Sequence, residues 1–228
     1  QDTGYVGTKK CHCFLKAIID LFYTQSNLKG LLEQENFEHF NFDYYSSNYR
    51  DRLSGQNSRE LATRAYQECM NFIHNFDTEH GNLLLFGNTG IGKTFLSHCI
   101  AKEVMDSLHS VLYLTASEFF DALLEKALTR NDESCLLYEQ IHKCDLLIID
   151  DLGTERNTDF VVSQLFVCLN DRILNRKSTI ISTNLTLEEI KTNYTERTFS
   201  RISNHYKILR LAGDDIRIQK KLMYREEH

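Results

Sequence analysis

The chain has 228 residues, a formal net charge of −6 and a sequence pI near 5.9. Hydrophobic residues make up 42% of it, enough for one α/β domain with a small additional segment. No run reaches the roughly 18 apolar residues of a membrane span, and no secretory signal is visible. The acidic balance argues against a broad basic surface for duplex DNA, although a local basic groove stays open. The first residue is Gln1 rather than methionine, which indicates a fragment.

The N-terminal segment carries two cysteines, Cys11 and Cys13, on either side of His12. This spacing is half of a zinc site, because a structural zinc ion needs about four ligands. Taken alone, the spacing favours two incidental thiols, since no second cysteine pair lies nearby. A helix is predicted over residues 14–32, broken near residues 26–27, because its apolar residues recur at helical spacing.

Five aromatic residues are concentrated in residues 37–45. Such a cluster can stack on nucleic-acid bases, but without basic partners it more often packs on a core, and we favour packing. Residues 50–58 are polar and contain Gly55, so they form the predicted linker. An amphipathic helix over residues 58–76 follows.

The segment GNTGIGKT, residues 87–94, fits the phosphate-binding loop pattern G-x-x-x-x-G-K-[ST]. It lies between a short apolar run at residues 82–86, which predicts a buried parallel strand, and a predicted helix at residues 95–108. Its glycines allow a tight turn whose N–H groups point at a polyphosphate, at the positive end of the helix dipole. Lys93 is then expected to reach the β- and γ-phosphates from an exposed position, and Thr94 to bind Mg²⁺. All eight residues are predicted nucleotide ligands: Gly87, Asn88, Thr89, Gly90, Ile91, Gly92, Lys93 and Thr94.

The remaining chain alternates strands with helices, which predicts a parallel sheet covered on both faces. Predicted strands cover residues 111–115, 145–150, 178–183 and 206–211. Predicted helices cover residues 118–128 with Ser117 as N-cap, 135–142, 158–176, a short helix opened by a capping box at residues 186–189, and 195–204.

Two carboxylates, Asp150 and Asp151, follow an apolar strand. A phosphate-binding loop enzyme needs an acid at such a strand end to hold Mg²⁺. Asp150 suits that role, and Asp151 suits orienting or deprotonating the attacking water, with Glu155 as the alternative acid. Taken alone, the pair would more simply be a polar loop, but the upstream loop favours the functional interpretation.

Further polar side chains extend the predicted site. Asn184 ends the next strand, where its side chain can touch the γ-phosphate, although asparagine is also common in turns. Arg197 and Arg201 share a helix face and suit a finger acting on a neighbour's nucleotide, although each taken alone would more simply be a solvated charge. Arg217 follows Gly213 near the end of the chain, where a charge is usually a surface residue.

In their order, these motifs resemble the AAA+ ATPases of the bacterial replicative helicase loader family, the DnaC/DnaI-like proteins. The matching segments are GNTGIGKT (residues 87–94), LLIIDDLGTE (146–155), ISTN (181–184), ERTFSRI (196–202) and GDDIR (213–217). A weaker match, DTGY with KKCHC, resembles the end of the family's zinc-binding segment. Its first cysteine pair would lie before Gln1, so zinc is expected only in a longer protein.

The resemblance implies a three-layer α/β/α P-loop NTPase domain at residues 58–228, preceded by a small helical segment at residues 1–57 that contacts the helicase. Few residues follow Gly213, so the lid domain is expected to be missing or minimal. Carried over by position, the implied roles are phosphate binding by Lys93, Mg²⁺ binding by Thr94 and Asp150, and catalysis by Asp151, Asn184, Arg201 and Arg217.

The implied function is slow, switch-like ATP hydrolysis to ADP that loads a hexameric replicative helicase onto single-stranded DNA. It implies a cytoplasmic protein, an ATP-dependent homo-oligomer and no membrane contact. The cysteines are scattered and odd in number, and beside a nucleotide site in the same chain they indicate reduced thiols. An IstB-type transposition helper ATPase shares this core and is the alternative. A third hypothesis is a nucleotide-binding scaffold that does not hydrolyse ATP. The complete set of acids and arginines argues against it.

Overall fold

A computed structural model of the protein describes residues 28–128, 132–156 and 158–226, with the backbone alone at 28, 29, 132, 133 and 222–226. The predicted zinc ligands Cys11 and Cys13, and most of the predicted helix at residues 14–32, lie outside the described residues. The end of that predicted helix is described and forms part of helix α1, Leu28–Gln34. None of the helices in the described ranges combines the length and apolarity that a membrane crossing needs.

Five parallel strands form one sheet in the order β2-β3-β4-β1-β5. Their apolar runs are buried on both faces, as helix-covered parallel strands require. The bounds agree with the sequence prediction to within two residues: β1 Leu83–Phe86, β2 Val111–Thr115, β3 Leu146–Leu152, β4 Ser178–Thr183 and β5 Lys207–Arg210.

The helices alternate with these strands, which confirms the predicted α/β order. Two short 3₁₀ turns, Phe37–His39 and Phe42–Tyr44, lie between α1 and α2. The further helices are α2 Ser58–His74, α3 Phe76–Glu79, α4 Lys93–Asp106, α5 Ala116–Leu128, α6 Asp132–Lys143, α7 Asp159–Leu174, α8 Leu187–His205 and α9 Ile216–Glu226.

Apolar side chains pack on both faces of the sheet and make three layers. Because neighbouring strand residues point to opposite faces, Leu84 and Ile181 join the cluster formed with α5, α6, α7 and α8. Leu83 and Ile180 join the second cluster, formed with α2, α3 and α4. The observed architecture is therefore the predicted α/β/α sandwich.

The N-terminal segment packs against the second cluster. Tyr45 is buried in it, and Phe37, Phe40 and Tyr44 are partly buried against it. The preferred interpretation of the aromatic cluster, packing rather than base stacking, is confirmed. The division of the chain at residue 57 stays a prediction, because residues on both sides of it share this core.

Residues 50–58, the predicted linker, form a compact turn that is bound to the domain. Arg50 and Asn57 form an isolated antiparallel bridge. Asp51 is buried and accepts hydrogen bonds from the Arg210 guanidinium at 2.6 and 2.9 Å. This charged pair holds the turn against the carboxyl end of β5 and lowers the pKa of Asp51 to about 2.

The start of α5 differs from the prediction that Ser117 is its N-cap. Thr115 caps the helix instead, because its hydroxyl accepts from the Glu118 N–H at 3.3 Å and its own N–H donates to the Glu118 carboxylate at 2.8 Å. This is a capping box that begins two residues earlier than the predicted N-cap. The predicted box at Thr186 and Glu189 is present.

In the described residues that follow Gly213, the chain forms helix α9, and the expectation of a missing or minimal lid stays a prediction. The predicted pair of helices around residue 195 is also present. They meet at a kink in α8, where Thr195 has φ of 73° and ψ of 158°.

Candidate functional site

The loop at residues 87–94 joins β1 to α4 and leaves the amino end of α4 open. Gly92 is the N-cap residue in the left-handed region, with φ of 93° and no side-chain cap. A Cβ there would lie 2.5 Å from the Tyr45 hydroxyl, so glycine is required by space as well as by φ. The uncapped N–H groups of α4 therefore remain available to an anion.

Lys93 is buried, with 4% of its surface exposed, so the prediction that it is exposed in the free protein was wrong. Its ammonium donates to the carbonyls of Gly87 and Asn88 at 2.8 and 2.7 Å, and to Asn184 Oδ1 at 2.6 Å. These three acceptors use all three ammonium donors. Burial lowers the pKa of Lys93 to about 8, although Asp151 and Asp150 act in the opposite direction.

Asp150 is 5% exposed and accepts hydrogen bonds from three hydroxyl groups. Thr94 donates to it at 3.0 Å, Tyr113 at 2.7 Å, and Ser182 donates to Oδ1. Burial and the neighbouring Asp150 carboxylate raise the pKa of Tyr113 well above its ordinary value, so its hydroxyl stays protonated.

Asp151 lies beside Asp150 in a β-bulge. The pairing of β3 with β4 is irregular between Ile149 and Leu152, and Asp151 has φ of 55°. Successive residues of a regular strand point to opposite faces, but the bulge brings both carboxylates to the same cavity. Burial, and after it the charge of Asp150, raise the pKa of Asp151 above its ordinary value.

A cavity of about 420 Å³ lies above these groups. One wall consists of Lys93, Thr94, Asp150, Asp151 and Asn184, so the structure brings together the predicted residues of three strand ends. Of the opposite wall, only Arg217 was predicted as a site residue. This wall comes from the N-terminal segment and α9, and its residues are Glu35, His39, Phe40, Asn41, Tyr44, Tyr45, Ile216, Arg217 and Lys220.

The predicted arginines occupy different positions. Arg217 lines the cavity and pairs with Asp215 at 2.8 and 3.1 Å. Arg201 is half-buried on α8 and is not among the cavity-lining residues. Arg197 is exposed and lies 5.9 Å from the Phe166 ring centroid. The alternative acid Glu155 also lies off the cavity, accepting hydrogen bonds from Tyr194 and the Gly153 N–H.

A family model described as IstB-like ATP binding protein matches residues 23–223. The chain belongs to this family. The match includes the phosphate-binding loop, both strand-end carboxylates, the N-terminal residues of the opposite wall and α9 as far as residue 223, which together surround the cavity.

Relatives of this IstB-like chain include two classes of replication protein. It is 26% identical over 164 residues to the chromosomal replication initiator DnaA of Treponema pallidum, covering 72% of this chain and 33% of DnaA. It is 22% identical over 180 residues to the replicative helicase loader DnaC of Escherichia coli, covering 79% of this chain and 67% of DnaC. The chain thus spans about a third of the DnaA proteins that it matches.

Two solved structures show the same fold. A crystal structure of the DnaC helicase loader has a TM-score of 0.60 at 23% identity, covering 75% of this chain and 96% of that one. A structure of the replication initiator DnaA bound to AMPPCP and single-stranded DNA also has a TM-score of 0.60 at 19% identity. The match covers 82% of this chain and 56% of the DnaA chain. The IstB-like chain therefore has the AAA+ P-loop NTPase fold.

The residues at the cavity fit Mg²⁺. Thr94 and Asp150 offer a hydroxyl and a carboxylate, and Mg²⁺ commonly takes only one or two protein oxygens beside phosphates and waters. Within the described part of the chain, no group of three or more His, Cys, Asp or Glu side chains could hold a metal alone. The site therefore suits a cation that arrives with a polyphosphate.

Nucleotide binding to this IstB-like chain is expected to take up a proton near pH 8. Lys93 of the free chain has a pKa of about 8, and neighbouring phosphate charge raises it. At pH 8 the bound site should therefore gain about half a proton, and at pH 6.5 almost none. Calorimetry in two buffers of different ionisation enthalpy measures this uptake. Equal binding heats in both buffers at pH 8 would contradict it.

Proposed function

We propose that the chain is a magnesium-dependent ATPase that loads a ring-shaped, hexameric replicative helicase onto single-stranded DNA. The observation that carries the ATPase part is the joining of Lys93, Thr94, Asp150, Asp151 and Asn184 around one cavity. These residues supply a cation, oxygen donors for a metal and a carboxylate for water, which phosphoryl transfer requires.

Each group has a distinct task in this proposal. With ATP bound, the Lys93 ammonium would leave the loop carbonyls and Asn184 and contact the β- and γ-phosphates. The Asn184 side chain would then be available to bind the γ-phosphate or the attacking water. Asp151 orients the water and accepts its proton, favoured by its raised pKa. Thr94 and Asp150 hold Mg²⁺, which neutralises phosphate charge when bound.

The assignment to replication rests on the relatives. The family description names ATP binding and leaves the process open, so it also fits the transposition helper alternative. The relatives named above are a helicase loader and a replication initiator, and one related structure holds single-stranded DNA. We therefore prefer the loader, with the ATP-bound state as the assembled homo-oligomer and hydrolysis as its release.

Asp151→Asn tests both parts of the proposal. The amide cannot accept a proton, so hydrolysis should slow by about 100-fold while ATP stays bound. The variant should then trap the assembled state. Tagged Asp151→Asn protein is incubated with Mg²⁺ and ATP in extract of its own cells, and the captured proteins are identified. A replicative helicase, retained more strongly than by the wild type, is expected.

Glu155→Gln is the matched control, because this carboxylate is four residues away and off the cavity. It should hydrolyse ATP at close to the wild-type rate. Wild-type hydrolysis by Asp151→Asn would remove Asp151 from catalysis. Capture of a transposase instead of a helicase would select the transposition helper.

A further inference from the structure

Asp150 is held by more hydroxyl groups than the phosphate-binding loop accounts for. Thr94 belongs to that loop, but Tyr113 lies on β2 and Ser182 on β4. The Tyr113 hydroxyl donates to Oδ2 at 2.7 Å, and the Ser182 hydroxyl donates to Oδ1. Each carboxylate oxygen therefore has a donor besides Thr94, and the plane of the carboxylate is fixed from both neighbouring strands.

Ser182 also holds the backbone of Asp151. Its fully buried hydroxyl accepts the Asp151 N–H at 3.0 Å while donating to the Asp150 carboxylate. The ladder pairs Ile149 with Ile181 and then Leu152 with Thr183, so two β3 residues lie opposite Ser182. The hydroxyl replaces the regular backbone partner at this bulge. One side chain therefore fixes both the carboxylate of Asp150 and the left-handed backbone of Asp151.

The Tyr113 ring is itself confined. Its centroid lies 4.8 Å from that of His98, which is buried on α4. His98 Nδ1 lies 2.5 Å from the Glu35 carboxylate at the end of the N-terminal helix α1. This packing restricts the ring without involving its hydroxyl, so removal of the hydroxyl alone leaves the ring contacts in place.

We propose that Tyr113 and Ser182 are positioning residues that set the geometry of Asp150 for the metal. This inference rests on the proposed function, because it assumes that Asp150 and Thr94 hold Mg²⁺ with ATP. If the Thr94 hydroxyl bound the metal, each oxygen of Asp150 would still accept one hydrogen bond, from Tyr113 or from Ser182. Such outer partners keep a ligating carboxylate oriented and contribute to metal affinity.

Tyr113→Phe and Ser182→Ala test the proposal, because each removes one hydroxyl and little volume. The controls are Tyr138→Phe, whose ring packs on His142 away from the cavity, and Ser97→Ala. The Ser97 hydroxyl is equally buried and has no hydrogen-bond partner in the described part of the chain. Affinity for a fluorescent ATP analogue is measured in EDTA and then across a Mg²⁺ titration. The electron paramagnetic resonance linewidth of Mn²⁺ bound in place of Mg²⁺ is the spectroscopic check.

In both test variants, the Mg²⁺ concentration needed for half of the affinity gain should rise about tenfold. Affinity in EDTA should stay within about twofold, because the phosphate contacts of Lys93 are untouched. An unshifted Mg²⁺ midpoint in a folded test variant, equal to that of the controls, would overturn the proposal. If wild-type chain gains no ATP affinity from Mg²⁺, the proposed function fails first and this inference falls with it.

Discussion

Replacement of Lys93 with alanine is expected to weaken ATP binding by about 100-fold. The ammonium would contribute a charge-assisted contact to a triphosphate, of roughly 3 kcal/mol. It is buried at the base of the cavity, and no other lysine within residues 28–128, 132–156 and 158–226 lies in the phosphate-binding loop. Calorimetric titration of wild-type and variant chains with Mg²⁺ and ATP measures the change.

The burial of Lys93 also bears on the stability of the variant. Its removal leaves two loop carbonyls and Asn184 Oδ1 without that donor, but it also removes a buried charge. These effects oppose each other, so the thermal unfolding midpoint without nucleotide should change little. Lys102→Ala is the matched control, because Lys102 lies on the same helix and pairs with Asp106 at 2.6 Å. Unchanged ATP affinity in Lys93→Ala would remove the nucleotide site from this loop.

The strands and the phosphate side of the site could be predicted because their signals are local. An apolar run followed by GNTGIGKT or by Asp150 and Asp151 has one common structural solution, in which the carboxyl ends of parallel strands meet. The burial of Lys93 could not be predicted in this way. It depends on the path of the loop carbonyls and on Asn184, which is 91 residues away in the chain.

Apart from Arg217, the opposite wall of the cavity could not be predicted, for a related reason. Phe40 and Tyr45 were correctly expected to pack on a core, but no local pattern says that this core borders the nucleotide cavity. The helix α9 was missed because its sequence is short and mostly polar. The contacts of the Ser182 hydroxyl could not be predicted, because a serine in a buried strand is common and the bulge opposite it is not visible in the sequence.

Replacement of Arg201 with alanine is expected to abolish partner-stimulated hydrolysis while ATP affinity stays unchanged. Arg201 is half-buried on α8, outside the cavity that holds its own Lys93. No hydrogen bond or ion pair to another described residue engages its guanidinium. A finger that acts on a neighbouring subunit can contribute about 10³–10⁵ in rate, and we expect about 10³ or less because Asp151 is a short catalytic acid.

A mixing experiment separates action on a neighbour from action within one chain. Arg201→Ala protein has an intact nucleotide cavity, and Lys93→Ala protein has an intact arginine, so the mixture should recover part of the stimulated rate. Steady-state ATPase assays with single-stranded DNA or the helicase measure this recovery, with each variant alone as the baseline. Arg197→Ala is assayed beside it as the alternative candidate, because Arg197 lies one turn earlier on the same helix and contacts Phe166. If Arg201 is the finger, Arg197→Ala should keep the stimulated rate. If the mixture is no faster than its components, Arg201 does not act on a neighbour, and Arg197 takes its place in the same assay.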